Sequence, residues 1–279
     1  MQTDMLIAQG NTHRENHQYE AALACYAQAL TQDRASSAAF NNYGNVLREV
    51  GDPAGALPFL ERAAQLEPRD VTCRFNQAVC WLLLGDYARG WPAYEARWQY
   101  EHLAGTQPQL TQPRWTGQDL QGRSILVIGE QGHGDCIQFS RFLWNLHQAG
   151  AKIYLEVTEG LVPLFQGSPI LTSVTGYTQT RPETDYWTPI MSIPGVLGVT
   201  LGNLPQPVNY ITPHSELQNQ WRERLGAKTR LRVGLAWSGR RDAWLNQHKG
   251  MPFEMMLSLI QRNPQTEWIN LQIDATSEE

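Results

Sequence analysis

The first hundred residues repeat with a period of 34, and this constrains the fold more than any other feature of the chain. Gly10, Gly44 and Ala78 fall in step. So do Tyr19, Pro53 and Tyr87; then Ala22, Ala56 and Gly90; then Tyr26, Leu60 and Tyr94; then Ala29, Ala63 and Arg97. Small residues recur where two helices must cross closely, and large ones recur where a side chain must fill the gap between them. Gly51-Asp52-Pro53 and Gly85-Asp86-Tyr87 each end one helix and start the next. A single helix pair cannot bury its apolar face, so successive pairs stack and leave a concave groove.

This pattern resembles the tetratricopeptide repeat, from residue 3 to about residue 100. The second unit matches best and closes at Pro68. The first has Arg34 at that place, and the third departs furthest, with Gly90 and Arg97 where alanine is usual. The resemblance implies a peptide-binding groove. Asn11 and Asn45 share one position of the first helix of each pair; Asn42 and Asn76 share another, three residues earlier. These offsets put the amides on one helical face. An amide offers both a donor and an acceptor, as an extended peptide backbone requires. The rows are similar to those of repeat-bearing protein O-glycosyltransferases, including O-GlcNAc-transferase-like proteins. A solvated polar face is the alternative.

Composition narrows the partners. The net charge is −5, from 22 Lys+Arg against 27 Asp+Glu, and lysine occurs only at Lys152, Lys228 and Lys249. No basic stripe points to nucleic acid. The four cysteines, Cys25, Cys73, Cys80 and Cys136, form no metal-ligand spacing, and Cys73 and Cys80 read as buried thiols on one helical face. No metal or cofactor is expected. The first residues lack a signal-peptide pattern, and no apolar run reaches the ~18 residues of a membrane span. A cytoplasmic chain is the expectation.

Residues 100–122 are polar and interrupted by Pro108, Pro113 and Gly117, so they read as an extended connector. Trp115 within it reads as a packing residue. Next comes an apolar run, Ile125 to Ile128, that suits a strand covered on both faces. A turn with Gly129, Gln131, Gly132, His133 and Gly134 follows, and then a helix expected to begin near Asp135 and run to 149. Glycines let a backbone bend tightly and let a ligand approach. A helix start offers free N–H groups to a phosphate, carboxylate or hydroxyl. Further strands are expected at 152–157, 171–174 and 186–191, alternating with helices, which implies a parallel sheet. A second cycle starts late. A helix is expected at 216–225, a strand from Arg232 into Trp237-Ser238-Gly239, a helix at 252–261 and a strand at 268–271.

The turn fits two known phosphate-binding patterns poorly. Its spacing is G-x-x-G-x-G-D rather than the dinucleotide G-x-G-x-x-G, Glu156 is only the nearest candidate for an acidic residue ending the next strand, and no Gly-Lys-Ser/Thr follows the turn. The parts taken together resemble bacterial tetratricopeptide-repeat glycosyltransferases of the GT-B fold, whose catalytic half is similar to heptosyltransferases. The motifs are W-x-G-x-x-L-x-G from Trp115, G-E-Q-G-x-G-D at Gly129 to Asp135, M-S-I-P-G at Met191 to Gly195, and V-G-L-A-W-S-G from Val233. The resemblance implies α plus α/β architecture. The repeats span 1–104 and the connector 105–122. A Rossmann-like acceptor-side domain spans 123–226, and 227–279 begin a donor-side domain. It implies Asp135 as the base on an acceptor hydroxyl, with His133 as the alternative base; an N-cap is the other reading of Asp135. It implies that Ser238, Gly239, Arg240 and Lys249 face the donor diphosphate; a solvated basic loop is the other reading. The expected substrates are a nucleotide-sugar and a protein or glycan acceptor. The second sheet is short for a complete donor domain, so this chain is expected to show little transfer by itself. The exposed strand edge leaves room for self-association. A repeat-based scaffold with a non-catalytic sheet domain is the competing expectation.

Overall fold

The computed structural model describes residues 2–100, 106–205, 209–239 and 250–272. These form two compact units, Met1–Pro213 and His214–Glu279.

The first unit opens with six helices: α1 Gln2–Glu15, α2 Tyr19–Gln32, α3 Ser37–Glu49, α4 Pro53–Leu66, α5 Val71–Leu83 and α6 Tyr87–Tyr94. Their starts are set by short polar caps. Ser36, Asp52, Asp70 and Asp86 each accept a hydrogen bond from a backbone N–H in the first turn of the helix that follows. Gly51 and Gly85 end α3 and α5 with φ of 91° and 78°, the left-handed conformation that glycine reaches without strain. The recurring small position also has a steric cause. A Cβ on Gly10 would lie 2.5 Å from the Tyr26 ring, and one on Gly44 would lie 2.8 Å from Leu60. Tyr26 and Leu60 are fully buried.

The sheet of this unit contains β1 Ser124–Ile128, β2 Lys152–Val157, β3 Leu171–Gly176 and β4 Tyr186–Pro189. All pairings are parallel, in the order β3-β2-β1-β4. Strand β1 is central, which explains its unbroken apolar run. Ile125 and Val127 enter the main core. Leu126 and Ile128 face the other way, onto Trp187, Leu110 and Tyr154. The expected helix 135–149 is instead α7 His133–Phe139, a 3-10 turn over Ser140–Phe142, and α8 Leu143–Gln148. Ser140 Oγ donates to the Ile137 carbonyl at 2.8 Å, a local bond that competes with the regular helix ladder where α7 ends. Two one-turn helices follow, α9 Val162–Phe165 and α10 Ile193–Val196.

The connector runs along the sheet edge. Trp115 N donates to Trp187 O at 2.8 Å, and Trp187 N donates to Pro113 O at 3.2 Å, so this short stretch covers the outer side of β4. Trp115 is buried and its indole N–H donates to Gln118 O at 2.9 Å, as a packing residue requires.

The expected break between repeats and sheet, near residue 104, is not a boundary between compact units. Ala78 and Tyr94 of the third repeat share one hydrophobic core with Ile125, Phe139 and Met191. At the first repeat boundary, Tyr19, Leu23 and Tyr26 pack with Tyr43 and Val46 of the next repeat's first helix. Tyr87, Trp91 and Tyr94 hold those same positions in the third repeat, and Trp91 meets Phe139 of α7 edge-on at 5.6 Å. Helix α7 thereby contributes Phe139 to the face that the third repeat leaves open.

The second unit holds α11 Ser215–Leu225, β5 Arg232–Leu235, α12 Phe253–Arg262 and β6 Glu267–Asn270, with β5 and β6 parallel. Its start at His214 differs from the expected domain boundary at 226/227. The cause is Arg232 on β5. Its guanidinium donates to the carbonyls of Leu225, Gly226 and Ala227 at the end of α11 and pairs with Glu267 at 2.7 Å. Helix α11 is thereby tied to the second sheet. All four cysteines are buried and unpaired; burial pushes Cys73 and Cys80 up to about 11.

Candidate functional site

The glycine turn is built differently from its sequence appearance. Its left-handed residue is Gln131, with φ of 61°, and none of the three glycines of the turn has a positive φ. Gly129 is needed for close packing: a Cβ there would lie 2.9 Å from Cys136 Sγ and 3.2 Å from the Glu156 carbonyl. Helix α7 starts at His133, two residues earlier than expected, so Asp135 is its third residue and not its N-cap. Asp135 Oδ2 accepts from Gly132 N at 3.0 Å. This carboxylate already sits where the helix start favours negative charge. One N–H of the turn, that of Gly132, is thus engaged from within the chain.

Arg97 anchors the turn. It occupies the repeat position held by alanine in the first two units, and it is fully buried. Its guanidinium donates to both carboxylate oxygens of Glu130, at 2.8 and 2.9 Å, to Glu95 at 2.8 Å and to Ser192 Oγ at 2.7 Å. Arg114 of the connector donates to Ser192 Oγ at 2.8 Å and also pairs with Glu95. Glu130 further accepts from Met191 N at 3.1 Å, and Gln131 Nε2 donates to Tyr94 Oη at 2.9 Å. Two arginines meet two glutamates, so the network is neutral. Burial raises the Glu95 pKa, but Arg97 and the hydrogen bonds from Arg97, Ser192 and Arg114 outweigh it and hold the carboxyl below its usual range. Burial likewise opposes the charge of Arg97, and Glu130 and Glu95 restore it with a surplus. The third repeat, the connector, the glycine turn and the Met191-to-Gly195 motif all meet here. Sequence reasoning noted the departure at Arg97 without finding its partners.

A cleft of about 370 Å³ opens beside the turn. Its lining comes from the carboxyl ends of β1, β2 and β4 (Ile128, Glu156 and Pro189), from Gly129, Glu130 and Gln131, and from Tyr177, Arg181 and Pro108. Trp98, which follows the buried Arg97, forms another part of the wall. Ligands of open parallel sheets bind at this edge. The charges in the wall are compensated: Glu156 is fully buried and paired at both oxygens with Arg181, at 2.7 and 2.8 Å. Tyr177 Oη donates to Gly129 O at 2.8 Å, and burial pushes its pKa up to about 12. Gly129 and Gln131 line this cleft. Gly132, His133, Gly134 and Asp135 lie on the turn but are not part of its wall.

The asparagines of the repeats are brought together. Asn42 Nδ2 donates to Asn11 Oδ1 at 2.9 Å, Asn41 Nδ2 to Asn42 Oδ1 at 3.3 Å, and Asn76 Nδ2 to Asn41 Oδ1 at 3.0 Å. Tyr26 Oη also donates to Asn11, at 2.7 Å. The rungs connect α1, α3 and α5, and Arg14 of α1 pairs with Glu49 of α3 beside them. Asn45 is buried and meets Arg48 at 3.5 Å instead of joining the chain of amides. Asn41, missed in the sequence rows, is the central link.

In the second unit, the N–H groups of Trp237 and Ser238 both donate to Gln272 Oε1 at 3.1 Å, and Ser238 Oγ donates to Gly239 O at 3.1 Å. Arg240 and Lys249 lie outside the described residues. Among the described residues there is no cluster of three or more metal-ligating side chains, and no helix is long and apolar enough to cross a membrane.

Comparison with known proteins bears most directly on the first hundred residues. A family model described as tetratricopeptide repeat matches residues 7–68 and 44–102. Protein FlbA of Caulobacter vibrioides is 24% identical over 324 aligned positions, covering 95% of this chain. The chain spans about half the length of that relative, 54%. Similar solved structures include the first TPR of Spaghetti (RPAP3) bound to HSP90 peptide SRMEEVD, at 17% identity and a TM-score of 0.34, covering 36% of this chain and 80% of that one. Another is the TPR2B domain–pHsp70 complex of yeast Sti1, at 14% identity and a TM-score of 0.35, covering 38% of this chain and 87% of that one. Residues 7–102 are tetratricopeptide repeats, and they support a protein-interaction role for the chain.

Proposed function

We propose that the repeats hold an extended protein segment and that the sheet domain presents a sugar-sized cleft to it, as the acceptor side of a GT-B glycosyltransferase. The observation that carries this reading is the cleft of about 370 Å³ at the carboxyl ends of β1, β2 and β4, with Trp98 of the third repeat in its wall. The strand order β3-β2-β1-β4 changes direction at β1, and ligands of open parallel sheets usually bind at such a point, which supports this reading. An aromatic ring, an amide and compensated charges suit a neutral hydroxyl-rich ligand better than a free phosphate. In this reading Asp135, with one oxygen engaged by Gly132 N, and His133, exposed at the start of α7, are the candidate bases for an acceptor hydroxyl, reached from outside the cleft wall. Ser238, Gly239, Arg240 and Lys249 are the donor-side candidates, with a nucleotide-sugar as the co-substrate. No separate cofactor is invoked.

One observation favours a second reading, a protein-binding scaffold with a non-catalytic sheet domain. The cleft carboxylates are engaged within the chain, Glu130 by Arg97 and Glu156 by Arg181. Calorimetry with a panel of monosaccharides and nucleotide-sugars separates the two. Binding that is lost in Trp98→Ala, with the fold intact by circular dichroism, supports the cleft reading. Absence of binding to every sugar and donor selects the scaffold.

A further inference from the structure

We propose that the protein segment held by the repeats is selected by a bulky apolar side chain, which inserts into a pocket where the groove meets the sheet domain. This rests on the peptide-holding reading above and adds what kind of peptide is held. The argument starts from the 34-residue period. Three positions of each repeat's first helix read Asn11, Arg14 and Glu15 in the first unit, and Asn45, Arg48 and Glu49 in the second. In the third unit they read Val79, Leu82 and Leu83. The same face that carries amides and charges over two repeats becomes apolar in the last.

The apolar end is not closed over. Val79, Leu82 and Leu83 line a pocket of about 330 Å³ together with Trp91, Phe139 and Phe142. That size lies at the low end of ~300–1,000 Å³ for ligand pockets and suits one large side chain. Leu83 is 59% exposed. Gln138 and Arg141 of the sheet domain add polar groups to an otherwise apolar wall. An open, aromatic-lined pocket is where an anchoring side chain of a partner is buried. Because Val79, Leu82 and Leu83 hold the repeat positions of Asn45, Arg48 and Glu49, the pocket lies on the same face at its third-repeat end. The occupant this geometry fits is an extended segment whose backbone meets the amide rows and whose Leu, Met, Phe or Trp side chain enters the pocket.

The test uses the full chain and a positional-scanning library of fluorescein-labelled short peptides, read by fluorescence anisotropy. Mixtures with a large apolar residue fixed at one position are expected to bind at least about tenfold more tightly than those with alanine there. Leu83→Glu writes into the third repeat the residue of the first two, at an exposed site that leaves the thermal melt unchanged. Val79→Asn writes in the asparagine of the first two repeats one helical turn away, at a partly buried site. Either variant is expected to remove most of the apolar preference while leaving preferences at the other positions. Peptide binding with no apolar selection, or selection unchanged in both variants, overturns this proposal and leaves the peptide-holding reading standing. Binding of no mixture at all overturns both.

Discussion

The first two repeats and the third share one period but have different neighbours. Repeats one and two pack against another repeat, and they keep alanine at Ala29 and Ala63 and polar side chains along the groove. The third packs against a parallel sheet domain and has Arg97 at the alanine position. A fully buried guanidinium is destabilising unless its hydrogen bonds are met. Here Glu130, Glu95 and Ser192 meet them, from three different segments. The difference teaches that the last repeat is part of the sheet domain's core as much as of the repeat array. A position that departs from its own repeat marks where the docking occurs.

The strongest way to break this comparison is Arg97→Ala. It leaves Glu130 buried without its charge partner and is expected to cost about 3–5 kcal/mol. Urea unfolding followed by far-ultraviolet circular dichroism and by tryptophan fluorescence should shift by the same amount in both signals. A shift confined to one signal would mean that repeats and sheet unfold separately. Glu130→Gln keeps the shape and removes the charge, with an expected loss of about 1–3 kcal/mol. A double-mutant cycle of the two should return a coupling of ~0.5–3 kcal/mol. No coupling would reduce the contact to packing.

Within the repeats, Asn42→Ala breaks the amide ladder and is expected to cost about 1 kcal/mol, read equally in both unfolding signals. A loss as large as that of Arg97→Ala would erase the distinction between groove and docking face. The smallest effect concerns pH. The Glu95 carboxyl is held below the ordinary value of 4.5, so its contribution to stability is complete above that value and fades as pH falls through the lower folded one. Melting temperature should decline over this acid range less steeply in Glu95→Gln than in the parent chain. Parallel declines would show that Glu95 does not supply the dependence.

Much of the fold is legible in local chemistry. Capping aspartates, left-handed glycines and the apolar run of β1 act on neighbours a few residues away, so Asp52, Gly85 and Ile125 to Ile128 can be read directly. The site was legible in part. Gly129 and Gln131 do line the cleft, while Asp135 was misplaced by two residues of helix start, because Gly132 caps α7 and the aspartate reaches back to it. The glycines looked like the source of the turn's unusual backbone, yet Gln131 takes the left-handed conformation.

By itself the sequence determined the period, the turns between the repeat helices and the strand–turn–helix order, which are written in residues close together in the chain. Tertiary structure alone decided that Arg97 meets Glu130 and Ser192, 33 and 95 positions away, and that Glu156 meets Arg181. Periodicity carries no record of such pairs. A buried charge is stable only beside partners that folding brings to it, and their identity depends on how distant segments pack.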